Sequence, residues 1–277
     1  MEQLTNGLLD EQENQTEQAS QLKEFNELAL LFDKTTNDIV KESCAFFVKS
    51  ITQSMGKVMV KINSNAEQLE QTLLFCASAN IPEILVSPAY ISTLLRLKKK
   101  HSLPVRVYSA IDFPFGENLY KSKLMDVKNS IRLGVDGAVV AIAPSSLMGA
   151  NLRKSKRQLK SMLKTFKKKV CFAFSLVETG DEEIKTFFRC VEKLKIKSVL
   201  LCFGDLEQTA VVEKLNFVKP LAKNCSIKIF AKTPLDKTVV EYIKSSVELI
   251  YSQSADEVAK ALLEKFNLID KSTLKNA

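Results

Sequence analysis

The sequence predicts an α/β fold, a (β/α)8 TIM barrel preceded by an N-terminal helical extension. Three observations predict it. Strand-like runs and helix-period segments alternate eight times between residues 57 and 266, a length that suits one closed barrel. Several of the strand-like runs are continuously apolar, as strands buried on both faces of a parallel sheet must be. The turn after the first run, Ile62-Asn63-Ser64-Asn65, is not the glycine-rich turn that opens a doubly wound nucleotide-binding sheet.

Taken in order, residues 1–22 are rich in Gln, Glu, Asn and Thr and poor in large apolar groups, which predicts a disordered polar tail. From residue 23 to 55 the spacing is helical. Leu28, Leu31, Phe32, Ile39, Ala45, Phe46 and Val48 recur at three- and four-residue intervals, so this segment is a helical extension capping one end of the barrel. The barrel then occupies 56–277. Its strands are predicted at 57–62, 83–87, 105–110, 137–143, 170–177, 198–203, 227–231 and 248–251. The intervening helices fall near 66–79, 89–101, 118–133, 151–167, 181–195, 207–223, 235–246 and 254–266. Local signals agree. Ser64 stands three residues before Glu67, a capping-box spacing. Asp181, Glu182 and Glu183 favour the positive end of a helix dipole. Pro88 and Pro234 fall at strand-to-helix turns, where proline is tolerated.

Composition narrows the function. No apolar run is long enough to span a bilayer, and no basic region followed by an apolar core opens the chain, so a cytoplasmic protein without membrane contact is expected. The six cysteines, Cys44, Cys76, Cys171, Cys190, Cys202 and Cys225, form no C-x-x-C pair and read as reduced thiols. With a single histidine, His101, a zinc site is not expected, nor is any other metal or cofactor. The net charge of +8 is mostly lysine, in runs such as 98–100 and 167–169. These lysines read as solubilising charges spread over polar helix faces, so nucleic acid is not an expected partner. A small phosphorylated ligand suits the sign of the charge.

Several segments resemble the deoxyribose-phosphate aldolase family. Ile111-Asp112-Phe113-Pro114-Phe115-Gly116 is similar to that family's I-G-F-P-x-G turn after the third strand. Gly134-Val135-Asp136-Gly137-Ala138-Val139-Val140 resembles its fourth strand, G-A-D-E-x-D-x-V, and Leu147-Met148-Gly149-Ala150-Asn151 the L-M-x-G-N that follows. Val177-Glu178-Thr179-Gly180 is similar to the I-E-T-G closing the fifth strand, and Gly204 stands where K-T-S-T-G ends the sixth. The resemblance covers residues 57–266 and implies a class I aldolase barrel that cleaves its sugar phosphate through a lysine Schiff base.

At the implied catalytic positions the chain departs from that pattern. The proton-relay aspartate falls at Val139, the Schiff-base lysine at Leu200 and the strand-seven lysine at Phe230. Imine formation needs a neutral amine and proton transfer needs a titratable group, and hydrocarbon supplies neither. The expectation is a protein inactive in this reaction, with a sugar-phosphate-binding or structural role.

Other polar residues near strand ends remain candidates for relocated chemistry: Asp112, Glu178, Asp205 and Lys232. Lys228 lies two residues before Phe230 and shares its side of the strand. If Phe230 faces inward, Lys228 does so one layer deeper, either as a displaced amine or paired with an acid. If the register differs, it points outward. Asp112 is either a turn residue or a new carboxylate, and with Glu178 and Asp205 it could form an acid or metal cluster. Lys61 and Lys197 are also strand lysines; Lys197 and His101 read as surface groups, Lys197 because it starts its strand at the wrong end for barrel chemistry. The resemblance also implies a phosphate cradle. Gly204 is kept, Ser254 serves as a phosphate ligand or a helix cap, and Lys232 adds charge, while Thr233-Pro234 replaces a glycine pair. Two further readings stay open, an active lyase using Lys228 or Lys232 with Glu178, and a homodimer or protein partner engaged through residues 1–55.

Overall fold

The computed structural model describes residues 38–60, 65–149, 151–231 and 241–265. The polar tail, Lys61, Lys232, Thr233 and Pro234 lie outside the described residues. The elements are α1 (Asp38–Gln53), β1 (Met55–Met59), α2 (Ala66–Ser78), β2 (Glu83–Val86), α3 (Ile91–Lys100), β3 (Arg106–Ile111), α4 (Tyr120–Leu133), β4 (Gly137–Ile142), α5 (Asn151–Phe166), β5 (Val170–Ser175), α6 (Asp181–Leu194), β6 (Ser198–Gly204), α7 (Gln208–Val218), β7 (Ser226–Ala231), β8 (Leu249–Ser252) and α8 (Ala255–Lys265). Residues 241–244, between β7 and β8, are also helical. The eight strands form one closed barrel in chain order, and every neighbouring pair is parallel, β8 returning to β1. This is the predicted (β/α)8 architecture.

By contacts the chain divides into two compact units, Met1–Phe47 and Val48–Ala277. In the first, residues 38–47 are helical. The second contains the barrel, and its core already includes Val48 and Ile51. The barrel unit therefore begins before residue 56, and its first strand starts at Met55, two residues earlier than the apolar pattern suggests. Residue 54 explains the shift, because its carbonyl accepts from Ile250 N and so already lies beside β8. The helix cap also differs from the prediction. Asn65, not Ser64, caps α2, in a reciprocal box with Gln68: Gln68 N donates to Asn65 Oδ1 at 2.9 Å and Asn65 N to Gln68 Oε1 at 3.1 Å.

Two apolar layers result from the period-two alternation of each strand. The outer one lies between sheet and helices and includes Ile84, Val107, Val140, Phe172, Leu201 and Ile229. The inner one fills the barrel: Val58, Leu85, Ala110, Val139, Ala141, Ala173, Leu200, Cys202, Leu249 and Tyr251, with Tyr108, Phe113, Cys171 and Phe230 against them. Because both strand faces are buried, the runs read as continuous hydrocarbon, and polar residues inside them are conspicuous.

Candidate functional site

The mouth of a β/α barrel, at the C-terminal strand ends, is where the fold places its chemistry. Here Phe230 and Phe113 meet edge to face, with ring centroids 5.0 Å apart. Phe230, Val139 and Leu200 all belong to the inner layer. The three positions that the resemblance assigns to the catalytic lysines and aspartate thus project into the barrel, and each carries hydrocarbon. Cys202, one inward position above Leu200, is buried, and burial pushes its thiol well up, away from the thiolate. Ser175 Oγ accepts from Val177 N at 3.3 Å and is occupied in the turn.

Lys228 faces inward, and its Nζ lies 3.1 and 3.0 Å from the two carboxylate oxygens of Glu83. Its level is that of Leu200 on β6. The direction of reach is decisive. Glu83 is the first residue of β2 and bonds Arg106, the first residue of β3, at 2.7 Å. Arg106 is 53% exposed and Glu83 1%, so the cluster sits at the N-terminal opening, away from the mouth. Tyr251 Oη also donates to Glu83. The Tyr108 and Tyr251 rings flank the ammonium, with centroids 5.6 and 5.9 Å from Nζ. Burial pushes both phenols up, and the Glu83 charge adds to it, Tyr108 to about 12 and Tyr251 further. The ammonium is desolvated yet compensated, as a buried charge must be. Of the alternatives for Lys228, pairing with an acid is the arrangement observed.

Asp112 follows β3 in the left-handed region, φ 54°. Its Oδ2 accepts from Asn118 N at 2.7 Å and pairs with Lys123 Nζ at 2.9 Å. Lys123, from the first turn of α4, also donates to Gly116 O at 2.5 Å and Ala141 O at 2.9 Å. All three of its N–H donors are used, and it ties the β3–α4 turn to β4. Gly116 belongs to the same turn. It has φ 79°, and a Cβ there would lie 2.6 Å from the Ile142 and Ala143 backbone.

The other motif residues have comparable tasks. Asp136 Oδ2 accepts from Val107 N at 2.8 Å and from Lys98 Nζ at 3.0 Å. Thr179 Oγ1 donates to Ser175 O at 2.8 Å. Glu178 is exposed at φ 56°, and Asp205 is exposed. They do not gather with Asp112, for among the described residues no three His, Cys, Asp or Glu side chains form a metal-binding group. His101 ends α3 and contacts Glu70, which also takes Lys100 at 2.7 Å. Gly204 keeps a left-handed backbone, φ 58°. Ser254 precedes α8, its carbonyl accepting from Val258 N at 2.9 Å, with its hydroxyl 3.1 Å from that of Ser252.

Sequence reading missed Glu83, Arg106, Tyr108, Tyr251 and Lys123. Two signals were available. A glutamate beginning an apolar strand and a lysine inside another need each other if both are buried. Lys123 shares the i, i+4, i+7 stripe of α4 with buried Val127 and Ser130.

No family model matches the chain. It is 31% identical over 77 residues to a deoxyribose-phosphate aldolase from Mycoplasmoides gallisepticum, a match covering 28% of this chain and 34% of that protein. Among solved structures it is similar to QR15, described as an aldolase (TM-score 0.68, 15% identity, 79% of this chain and 99% of the other). It is also similar to deoxyribose phosphate aldolase from Aeropyrum pernix (TM-score 0.63, 15% identity, 77% and 91%). A 4-hydroxy-tetrahydrodipicolinate synthase from Methylacidiphilum fumariolicum shares the fold more distantly (TM-score 0.54, 13% identity, 76% and 70%). The chain therefore has the closed barrel of the deoxyribose-phosphate aldolases, and over about a quarter of its length it is similar to one of them in sequence.

Proposed function

We propose that this chain is a divergent deoxyribose-phosphate aldolase barrel that has lost the Schiff-base reaction and serves as a cytoplasmic binding or structural protein. One observation carries the reading. Val139, Leu200 and Phe230 face into the barrel as parts of its apolar core. Without an amine no carbonyl is attacked, and without a titratable group no proton is moved. The buried lysine that does enter the barrel, Lys228, is held by a carboxylate at the opposite opening. The retained motifs fit the same reading, since Gly116, Asp136 and Thr179 all serve turns and strand ends. Fold outlasts site chemistry because packing and catalysis depend on different residues.

The binding role that the reading favours is toward a sugar phosphate, at what remains of the cradle, Gly204 and Ser254 before α8. The test is to incubate the protein with deoxyribose 5-phosphate, assay acetaldehyde, and trap with borohydride before mass spectrometry. No turnover and no lysine adduct are expected, and a sugar phosphate raises the melting temperature. Acetaldehyde release that vanishes in Lys228→Ala would overturn the proposal.

A further inference from the structure

The basic residues of this chain are not evenly dispersed. Residues 151–169 hold nine Lys or Arg and no Asp or Glu, while the whole chain holds 40 against 32, so the remainder carries 31 against 32. The entire net positive charge resides in α5 and the short 3-10 turn Lys167–Lys169 that extends it.

The fold turns this segment into a surface. Ser155, Leu159 and Met162 are buried and fix the rotation of α5 on the barrel. Arg153, Arg157, Lys160 and Lys164 then share the opposite face at i, i+4, i+7 and i+11, and all are exposed. At about 1.5 Å per residue the row is about 17 Å long, enough to follow several successive phosphates of a nucleic acid. The contrast with the other lysine run is direct. Lys98 and Lys100 on α3 are paired with Asp136 and Glu70, whereas among the described residues no ion pair involves a cation of α5. Unpaired like charges in a row repel one another, and a polyanion relieves the repulsion.

We infer that the outer face of α5 binds the phosphodiester backbone of nucleic acid without sequence preference. The row carries cations with Ser161 and Thr165 beside them and no aromatic side chain to stack on bases, so contact is to phosphate alone. A membrane surface fits less well. A helix lying in a lipid interface buries its apolar face there, and the apolar face of α5 is already committed to the core. The cations lie on a polar helix face, as the sequence suggests, and the inference adds a partner that the sequence reading did not expect.

The test uses the full chain and fluorescence anisotropy with labelled oligonucleotides of about 20 nucleotides, single-stranded and duplex, from about 50 mM salt upward. The wild type binds both, and the logarithm of its affinity for the single strand falls with log salt at a slope near −3, about 0.7 for each of four phosphates. The variant Arg153→Gln, Arg157→Gln, Lys160→Gln, Lys164→Gln binds at least tenfold more weakly, with a flatter slope and an unchanged circular dichroism spectrum. Arg153→Lys with Arg157→Lys retains binding. The control Lys99→Gln, Lys193→Gln, Lys219→Gln, Lys223→Gln removes equal charge elsewhere and also retains it. Absence of binding at low salt, equal loss in the control, or tighter α5-dependent binding to phosphatidylserine vesicles than to oligonucleotide would each overturn the inference.

Discussion

Lys228 and Glu83, 145 residues apart in sequence, meet across the floor of the barrel with Nζ 3.0 Å from Oε2. The pair is asymmetric. Glu83 also holds Arg106 and Tyr251, whereas Glu83 is the ion-pair partner of Lys228 among the described residues. Glu83→Gln is therefore expected to destabilise the fold by about 3–5 kcal/mol, the cost of leaving a buried charge uncompensated. Lys228→Met should cost less, because Arg106 still neutralises the carboxylate. Urea unfolding checks the order. A larger loss in Lys228→Met would show that the pair is not arranged this way.

Two glycines make room for the tyrosine rings beside this cluster. A Cβ on Gly56 would lie 2.6 Å from the Tyr251 ring, and one on Gly137 2.7 Å from the Tyr108 ring. Gly56→Ala and Gly137→Ala should each cost about 1–3 kcal/mol through overpacking. Because the ring is the obstacle, Tyr251→Leu should restore part of the loss in Gly56→Ala, and Tyr251→Phe should not. Denaturant midpoints of the double variants decide this.

Lys123 binds two carbonyls and the Asp112 carboxylate. Lys123→Met keeps the length of the side chain and removes the donors, so a loss of about 3 kcal/mol is expected from acceptors left unsatisfied. Hydrogen exchange adds a local readout. The Asn118 amide, donated to Asp112, should lose protection well before the barrel strands do. Unchanged protection there would contradict the role assigned to Lys123.

Stability should fall at alkaline pH. Burial holds Tyr108 near 12 against an ordinary 10.0, and Cys76 and Cys171 near 12 against 9.0. Above pH 9 the unfolded chain releases these protons and the folded chain keeps them. The native state then binds more protons, and unfolding free energy decreases as pH rises. The stability contributed by keeping these groups neutral is fully present below pH 9 and is lost progressively from there towards 12. Urea midpoints measured from pH 7 to 11 should be flat at first and then decline, and ultraviolet titration of the folded protein should leave Tyr108 and Tyr251 protonated at pH 11.

How much of this was legible in the sequence follows from range. The strand-and-helix alternation and the apolar strands depend on local period and burial, so the chain itself dictated them. The inward direction of Val139, Leu200, Phe230 and Lys228 was open, because strands apolar on both faces do not mark which face enters the barrel. That Leu200 carries no amine was readable because a residue's type is a local fact, while its place in the site came from the resemblance and its face from the closed barrel. The partner of Lys228 was not local. Only closure of the barrel brings β2 beside the floor of β7, and only the tilt of the strands decides that Nζ reaches the N-terminal opening and not the mouth. Whether the lysines of α5 are dispersed or aligned was decided at the same level. Their count is in the sequence, but the rotation of the helix on the barrel is fixed by Leu159 and Met162 entering the core, and that packing presents the cations in one exposed row.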